Sequence, residues 1–391
     1  MPDRLRVAMG TVYPYDESLI RGGIEAVAVY LTRALARHQE LELHVVSCNR
    51  TVQRDCREQR GPVTFHWLAT PRGLTVLRSA TVNVWRVRRA YRQIGADLVH
   101  AQGFSEYAVA ARPSDRLLLT VHGLEMLVDW MRHTRQYRGL AGRYRTWLGG
   151  WVARQSVRRA RAIVSIAGDY VPRLLAPWLA GRAVYPICNP IADEFFRVRT
   201  AEATEPEVLW AGNIAERKNL VGLVEAFALA ARQVPLARLI VIGAANEPDY
   251  LERTKRTIAR HGLEERVRLV GRVEQPALLA AYGRAAVVAM ASLEETAPMV
   301  IAQAMAAGKP VVATRVGGVP WLVEDGVTGY LAEAGDVPGL ARRLVELLSD
   351  RRLRQRMGRA ARQAAEERFA ADRVAAQTVR AYRELVGGKD A

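Results

Sequence analysis

Cysteine is scarce: the 391 residues hold three, Cys48, Cys56 and Cys188, and no C-x-x-C pair. That excludes a disulfide scaffold or a thiolate zinc site and suits a reducing compartment. No apolar run reaches the ~18 residues that a membrane-crossing helix needs. The opening MPDRLRVAMG has no signal-peptide apolar segment and reads as a first strand, so the expected location is cytoplasmic. No repeat or low-complexity tract stands out. Lysine is missing from residues 1–190, which hold 28 Arg and 14 acidic residues, so most of the +17 net charge sits there. Acids are missing between Glu58 and Asp97 and again between Asp129 and Asp169. The second gap holds nine Arg from Arg132 to Arg161, interleaved with Tyr137, Tyr144, Trp147 and Trp151. Such a stretch suits an anionic bilayer, an anionic lipid-linked substrate or nucleic acid, or is a solvated face of an arginine-rich protein.

What is present is a chain too long for one ordinary core, with half its residues hydrophobic. The first half alternates apolar runs at 5–10, 43–48, 63–68, 96–101, 117–123 and 162–168 with amphipathic stretches such as 24–38. The second half repeats the pattern, with apolar runs at 207–212, 237–243, 266–271, 286–292 and 310–314. Strand–helix alternation predicts parallel sheets flanked by helices. We therefore expect an α/β protein of two doubly wound Rossmann-like domains, 1–190 and 191–369, facing across a cleft, with a final helix in 370–391.

Four stretches carry candidate chemistry. Gly22 and Gly23 sit at a helix start, where free amides favour an anion and small residues let a phosphate or sugar approach; a plain helix start also uses glycine. The spacing is not that of a nicotinamide fingerprint. His122 closes a strand and could donate to a sugar hydroxyl or a leaving oxygen; His100 stands equivalently one strand earlier, and a structural histidine is the alternative for both. Lys218 lies where a helix begins, a placement that opposes the dipole unless an anion is near; the alternative is a surface Arg217–Lys218 pair. In EETAPMVIAQAMAAGKPVVAT (294–314), Pro298 suits a first helical turn and Gly308 an end. Amides around Thr296, Ala297, Pro298 and Met299 would then form an anion site, with Glu295 before it and Gln303 about two turns on. An acid complementing the dipole and a solvated glutamine would give the same spacing.

In order along the chain stand GG (22–23), DLVHAQG (97–103), TVHG (120–123), CNPIADEFF (188–196), AGNIAERKN (211–219), GRVEQPALLAAY (271–282) and the long block 292–331. Together they resemble the retaining nucleotide-sugar glycosyltransferases of family four, with the GT-B fold. The resemblance implies transfer of a sugar from a nucleoside-diphosphate donor to a glycan or lipid-linked acceptor with anomeric retention. It implies no obligatory metal or cofactor, and no D-x-D motif occurs. It implies Glu295, Lys218 and His122 as catalytic residues. Donor contacts would come from Gly22, Gly23, Asn213, Arg217, Lys218, Arg272, Val273, Glu295, Thr296, Ala297, Pro298, Met299 and Gln303. Two positions depart from the family pattern: Gln303 stands where a ribose-binding Glu is usual, and Asn213 where an Arg is usual. The last helix would cross back onto the first domain. A nucleotide-sugar epimerase of the same fold and a non-catalytic sugar-nucleotide binder are the alternatives. Expected partners are the donor, the acceptor and an anionic membrane surface met peripherally through the Arg-rich half; no nucleic acid is expected.

Overall fold

The computed structural model describes residues 4–20, 22–70, 79–123, 139–179, 181–201 and 206–387. The chain divides into two compact units, Met1–Pro190 with Ala371–Ala391, and Ile191–Ala370.

The first unit is built on β1 (Leu5–Gly10), β2 (Leu41–Asn49), β3 (Cys56–Arg60), β4 (Val63–Ala69), β5 (Leu98–Gln102), β6 (Leu117–Val121), β7 (Ala162–Ser165) and β8 (Ala183–Pro186). Their order across the sheet is β3-β4-β2-β1-β5-β6-β7-β8. Every neighbouring pair is parallel except β3 with β4. LVHAQ and LLLTV, the strands β5 and β6, are buried at every position, as strands of a parallel sheet covered on both faces must be. Helix α1 (Gly23–Leu35) follows β1, and α2 (Gly139–Arg159) lies between β6 and β7.

The second unit contains β9 (Glu207–Ala211), β10 (Arg238–Ile242), β11 (Val267–Gly271), β12 (Val287–Met290), β13 (Val311–Thr314) and β14 (Gly329–Ala332). This sheet is wholly parallel, in the order β11-β10-β9-β12-β13-β14. Helix α3 (Leu220–Gln233) follows β9, and α4 (Met299–Ala306) follows β12. Trp210 and Phe227 are fully buried between sheet and helix.

Helix α5 (Ala371–Gly387) belongs to the first unit. Its buried residues Val374, Ala375, Thr378, Val379 and Tyr382 recur at helical spacing. Arg383 pairs with Glu40 at 3.0 Å on the same unit.

In both sheets the strand order reverses beside the first strand, between β1 and β5 and between β9 and β12. Doubly wound sheets bind ligands at this switch point, outside the carboxyl ends of the strands. The loops leaving β1, β9 and β12 are therefore where function should be sought.

Candidate functional site

In the second unit, the chain leaves β9 and makes a tight turn at Glu216–Lys218 before α3. Asn219 closes that turn at φ 47, the single left-handed non-glycine residue among those described. Its Oδ1 accepts from the Gly222 amide at 3.2 Å, capping α3. Lys218 thus precedes the helix rather than lying in its first turn. The loop leaving β12 meets this turn, with the Leu293 amide donating to the Arg217 carbonyl at 2.9 Å. Arg217 Nη1 returns a bond to the Glu294 carbonyl at 2.7 Å and pairs with Glu295 Oε2 at 3.2 Å. Lys218 Nζ donates to Glu295 Oε1. Burial of Glu295, which is 5% exposed, would raise its carboxyl; Lys218 and Arg217 outweigh that and hold it below the ordinary carboxylate range. The site therefore presents an ionised carboxylate with two cations on it.

The backbone of Glu295 is gripped from the other side. The Gly318 amide donates to its carbonyl at 3.0 Å, and a Cβ on Gly317 would stand 1.8 Å from that oxygen. Pro298 then caps α4 without a side-chain hydrogen bond of its own. Thr296, Ala297, Pro298 and Met299 place this helix start directly after Glu295. Gln303 lies two turns on, and its Oε1 accepts from the buried Tyr282 hydroxyl at 3.0 Å. One lone pair of the amide oxygen is thus held, and one is left for a ligand hydroxyl. Asn213 is exposed in the loop after β9. Arg272 and Val273 follow β11, which β10 separates from β9, so they stand further along the sheet than the Glu295 cluster.

In the first unit, Gly22 caps α1 with an extended backbone, φ −169, and a Cβ there would meet nothing within 4 Å. Neither backbone conformation nor neighbouring side chains require glycine at this position. Gly23 is the exposed first residue of α1. His122 follows β6 and is half-buried, and burial pushes its pKa down to about 4. Its Nε2 contacts Gln102 Oε1. That oxygen can only accept, so the single proton of the neutral ring is used there and Nδ1 is left as an acceptor. His100 is buried with a pKa near 3, lowered by burial and then by His122, and is a structural partner.

Of the Arg-rich stretch, Arg132, Arg135, Tyr137 and Arg138 lie outside the described residues. On α2, Ala153, Ser156 and Val157 are buried while Tyr144, Trp147 and Trp151 are 48%, 59% and 36% exposed. Spacing puts these aromatics, Arg154 and Arg158 on the face opposite the buried one. Among the described residues, no group of three His, Cys, Asp or Glu could hold a metal ion, and no helix is long and apolar enough to cross a membrane.

Sequence reasoning missed Gln102, Tyr282 and Tyr382. Gln102 had a signal, since it lies two residues after His100 on one strand and so shares its face. The tyrosines had none, because their partners are remote in sequence.

Two Rossmann-like α/β units with these strand orders and a cationic switch-point site define a GT-B protein. The family model for Glycosyltransferase Family 4 matches residues 21–190, and that for Glycosyl transferases group 1 matches 192–364. The chain belongs to this glycosyltransferase family. It is 31% identical over 183 residues to the N-acetyl-alpha-D-glucosaminyl L-malate synthase of Bacillus anthracis, covering 47% of this chain and 46% of that one. The match spans less than two thirds of that relative and of the glycogen synthase of Mycobacterium tuberculosis, 46% and 60% of their lengths. Among solved structures, sucrose-phosphate synthase from Thermosynechococcus elongatus superposes with a TM-score of 0.79 at 21% identity, over 99% of this chain and 100% of that one. Anabaena Alr3699/HepE in complex with UDP and glucose gives 0.71 at 19%, over 97% and 100%. At such identities these likenesses show the fold.

Proposed function

We propose that this protein transfers a sugar from a nucleoside-diphosphate donor to a hydroxyl of a glycan or lipid-linked acceptor, with retention at the anomeric carbon. The observation that carries this reading is the Lys218–Glu295–Arg217 cluster beside the start of α4 at the switch point. Lys218, Arg217 and the amides around Pro298 stabilise the departing diphosphate, where negative charge grows in the transition state. Glu295 orients the cations and meets the sugar. Gln303 accepts from a ribose hydroxyl, and His122 accepts from a sugar hydroxyl through Nδ1. Gly22 and Gly23 let the substrate approach the backbone. Asn213, Arg272 and Val273 act as outlying donor contacts.

The anomeric carbon–phosphate oxygen bond breaks as the acceptor oxygen bonds the same face of that carbon. The acceptor proton passes to the leaving diphosphate, so no protein base takes part. UDP in a structure of the same fold supports a nucleotide-diphosphate donor. Work at the cytoplasmic face of an anionic membrane fits the exposed aromatic and arginine face of α2.

The test is incubation with a panel of nucleotide sugars and candidate acceptors, reading released nucleoside diphosphate and the product's anomeric configuration by NMR. One donor should yield stoichiometric diphosphate and a product of unchanged configuration. An inverted product removes the retention claim, and no turnover of any donor removes the transferase reading.

A further inference from the structure

Gln102 has two polar ends, and each meets a histidine. Its Oε1 contacts His122 Nε2, while its Nε2 lies 3.0 Å from His100 Nε2. The same amide nitrogen faces the Met9 sulfur, a weak acceptor, at 3.9 Å, which agrees with this orientation. An amide oxygen only accepts and an amide nitrogen only donates, so the two rings take opposite tautomers. His122 carries its proton on Nε2. His100 keeps a lone pair on Nε2 and carries its proton on Nδ1, which donates to the Tyr382 hydroxyl at 2.6 Å. Thr120 Oγ1, 2.7 Å from His100 Nε2, donates to the same lone pair. His100, Gln102, Thr120 and Tyr382 are 1%, 4%, 5% and 0% exposed, so solvent does not compete for these bonds.

The bonds run in one sense, from His122 on the loop after β6, through Gln102 and His100 on β5, to Tyr382 on α5. Reversing any one member would set donor against donor or acceptor against acceptor. We propose that Gln102 is a positioning residue that fixes His122 as a hydrogen-bond acceptor at Nδ1, and that the C-terminal helix anchors this array through Tyr382 and His100. Only the identity of what His122 accepts, a sugar hydroxyl, rests on the transferase reading; the tautomer does not.

The full-length protein labelled with 15N-histidine reports both. In a long-range 1H–15N spectrum at neutral pH, His122 should show a protonated Nε2 and an unprotonated Nδ1, assigned by loss of its signals in His122→Gln. Gln102→Leu should give a mixture of His122 tautomers, whereas Gln102→Glu, which keeps an acceptor, should retain the Nε2–H form. Tyr382→Phe, which removes one oxygen, should disturb the His100 signals more than those of His122. With the donor found in the screen, Gln102→Leu should lower kcat by about 10- to 100-fold with donor KM within a few-fold, the scale of a mispositioned group. A wild-type His122 protonated on Nδ1, or an unchanged tautomer in Gln102→Leu, overturns the proposal. If the spectra behave as expected while no donor turns over, the array stands and the transferase reading falls.

Discussion

Glu295 is a buried acid that stays ionised because Lys218 and Arg217 both reach it. Its helix-start setting was legible in the sequence, since Pro298 and Gly308 bracket a small-residue helix, but its cation partners were not, because 77 residues separate even the nearer, Lys218, from it. Arg217, first weighed as half of a surface pair, is instead the group that ties the β9 and β12 loops together, through the Glu294 carbonyl and the Leu293 amide. Gln303 was legible by spacing, but its partner Tyr282 was not, because 21 residues separate them. That partner sharpens the prediction. Gln303→Glu keeps an oxygen for the Tyr282 hydroxyl and adds charge toward a ribose hydroxyl, so donor KM should stay equal or fall. Gln303→Ala removes a neutral hydrogen bond of about 0.5–1.5 kcal/mol and should raise donor KM roughly 2- to 10-fold. Initial-rate kinetics with the identified donor decide it, and an unchanged KM in Gln303→Ala dismisses the ribose role.

At the scale of elements, the interior strands were legible and three edge strands were not. β3 and β8 each have one neighbour and bury little: β3 reads CREQR, and β8 is half-exposed or exposed throughout, whereas β14 is mostly buried but its four residues, GYLA, are too short a run to stand out. Central strands such as LLLTV bury both faces and announce themselves as apolar runs. The glycines of the site loops separate by the same kind of argument. Gly317 has φ +51, and its Cβ would overlap the Glu295 carbonyl, so Gly317→Ala must both strain the loop and push Glu295 away from its cations. We expect a loss of about 1–3 kcal/mol and a lower melting temperature, together with weaker donor binding. Gly22 has an extended backbone and open space around it. Gly22→Ala should therefore lower the melting temperature only slightly, as the poorer N-cap, while lowering kcat/KM, because the added methyl meets only the substrate. Thermal melts alongside donor kinetics separate the two, and full activity in Gly22→Ala would show that no ligand approaches that glycine.

At the scale of the whole molecule, the positive charge has a place. The exposed face of α2 carries Tyr144, Trp147 and Trp151, and at its end Arg158, Arg159, Arg161 and Arg182 line a cavity of about 740 Å³. Among the described residues, no acidic one lines that cavity. Arg182 donates to the Trp178, Leu179, Arg158 and Ala160 carbonyls, so it closes the ends of α2 and of the helix Tyr170–Leu179 and is a poor choice for testing surface charge. Arg158 is exposed on the aromatic face and is the better probe. Aromatic rings that enter an interface, with arginines beside them, favour an anionic bilayer over a neutral one. Each basic residue near such a surface contributes ~1 kcal/mol, and the attraction is screened by salt. The full-length protein should sediment with vesicles containing phosphatidylglycerol but not with phosphatidylcholine alone, and binding should weaken as salt rises. Arg158→Ser should weaken binding by roughly five-fold. Trp147→Ser with Trp151→Ser should weaken it further while leaving soluble-acceptor turnover intact, since both rings are exposed on α2 and neither has a part in the proposed chemistry. Equal binding to neutral vesicles, or no change in these variants, dismisses the face. Binding of the wild type to single-stranded DNA at the same salt, displaced by no vesicle, would assign the face to nucleic acid instead.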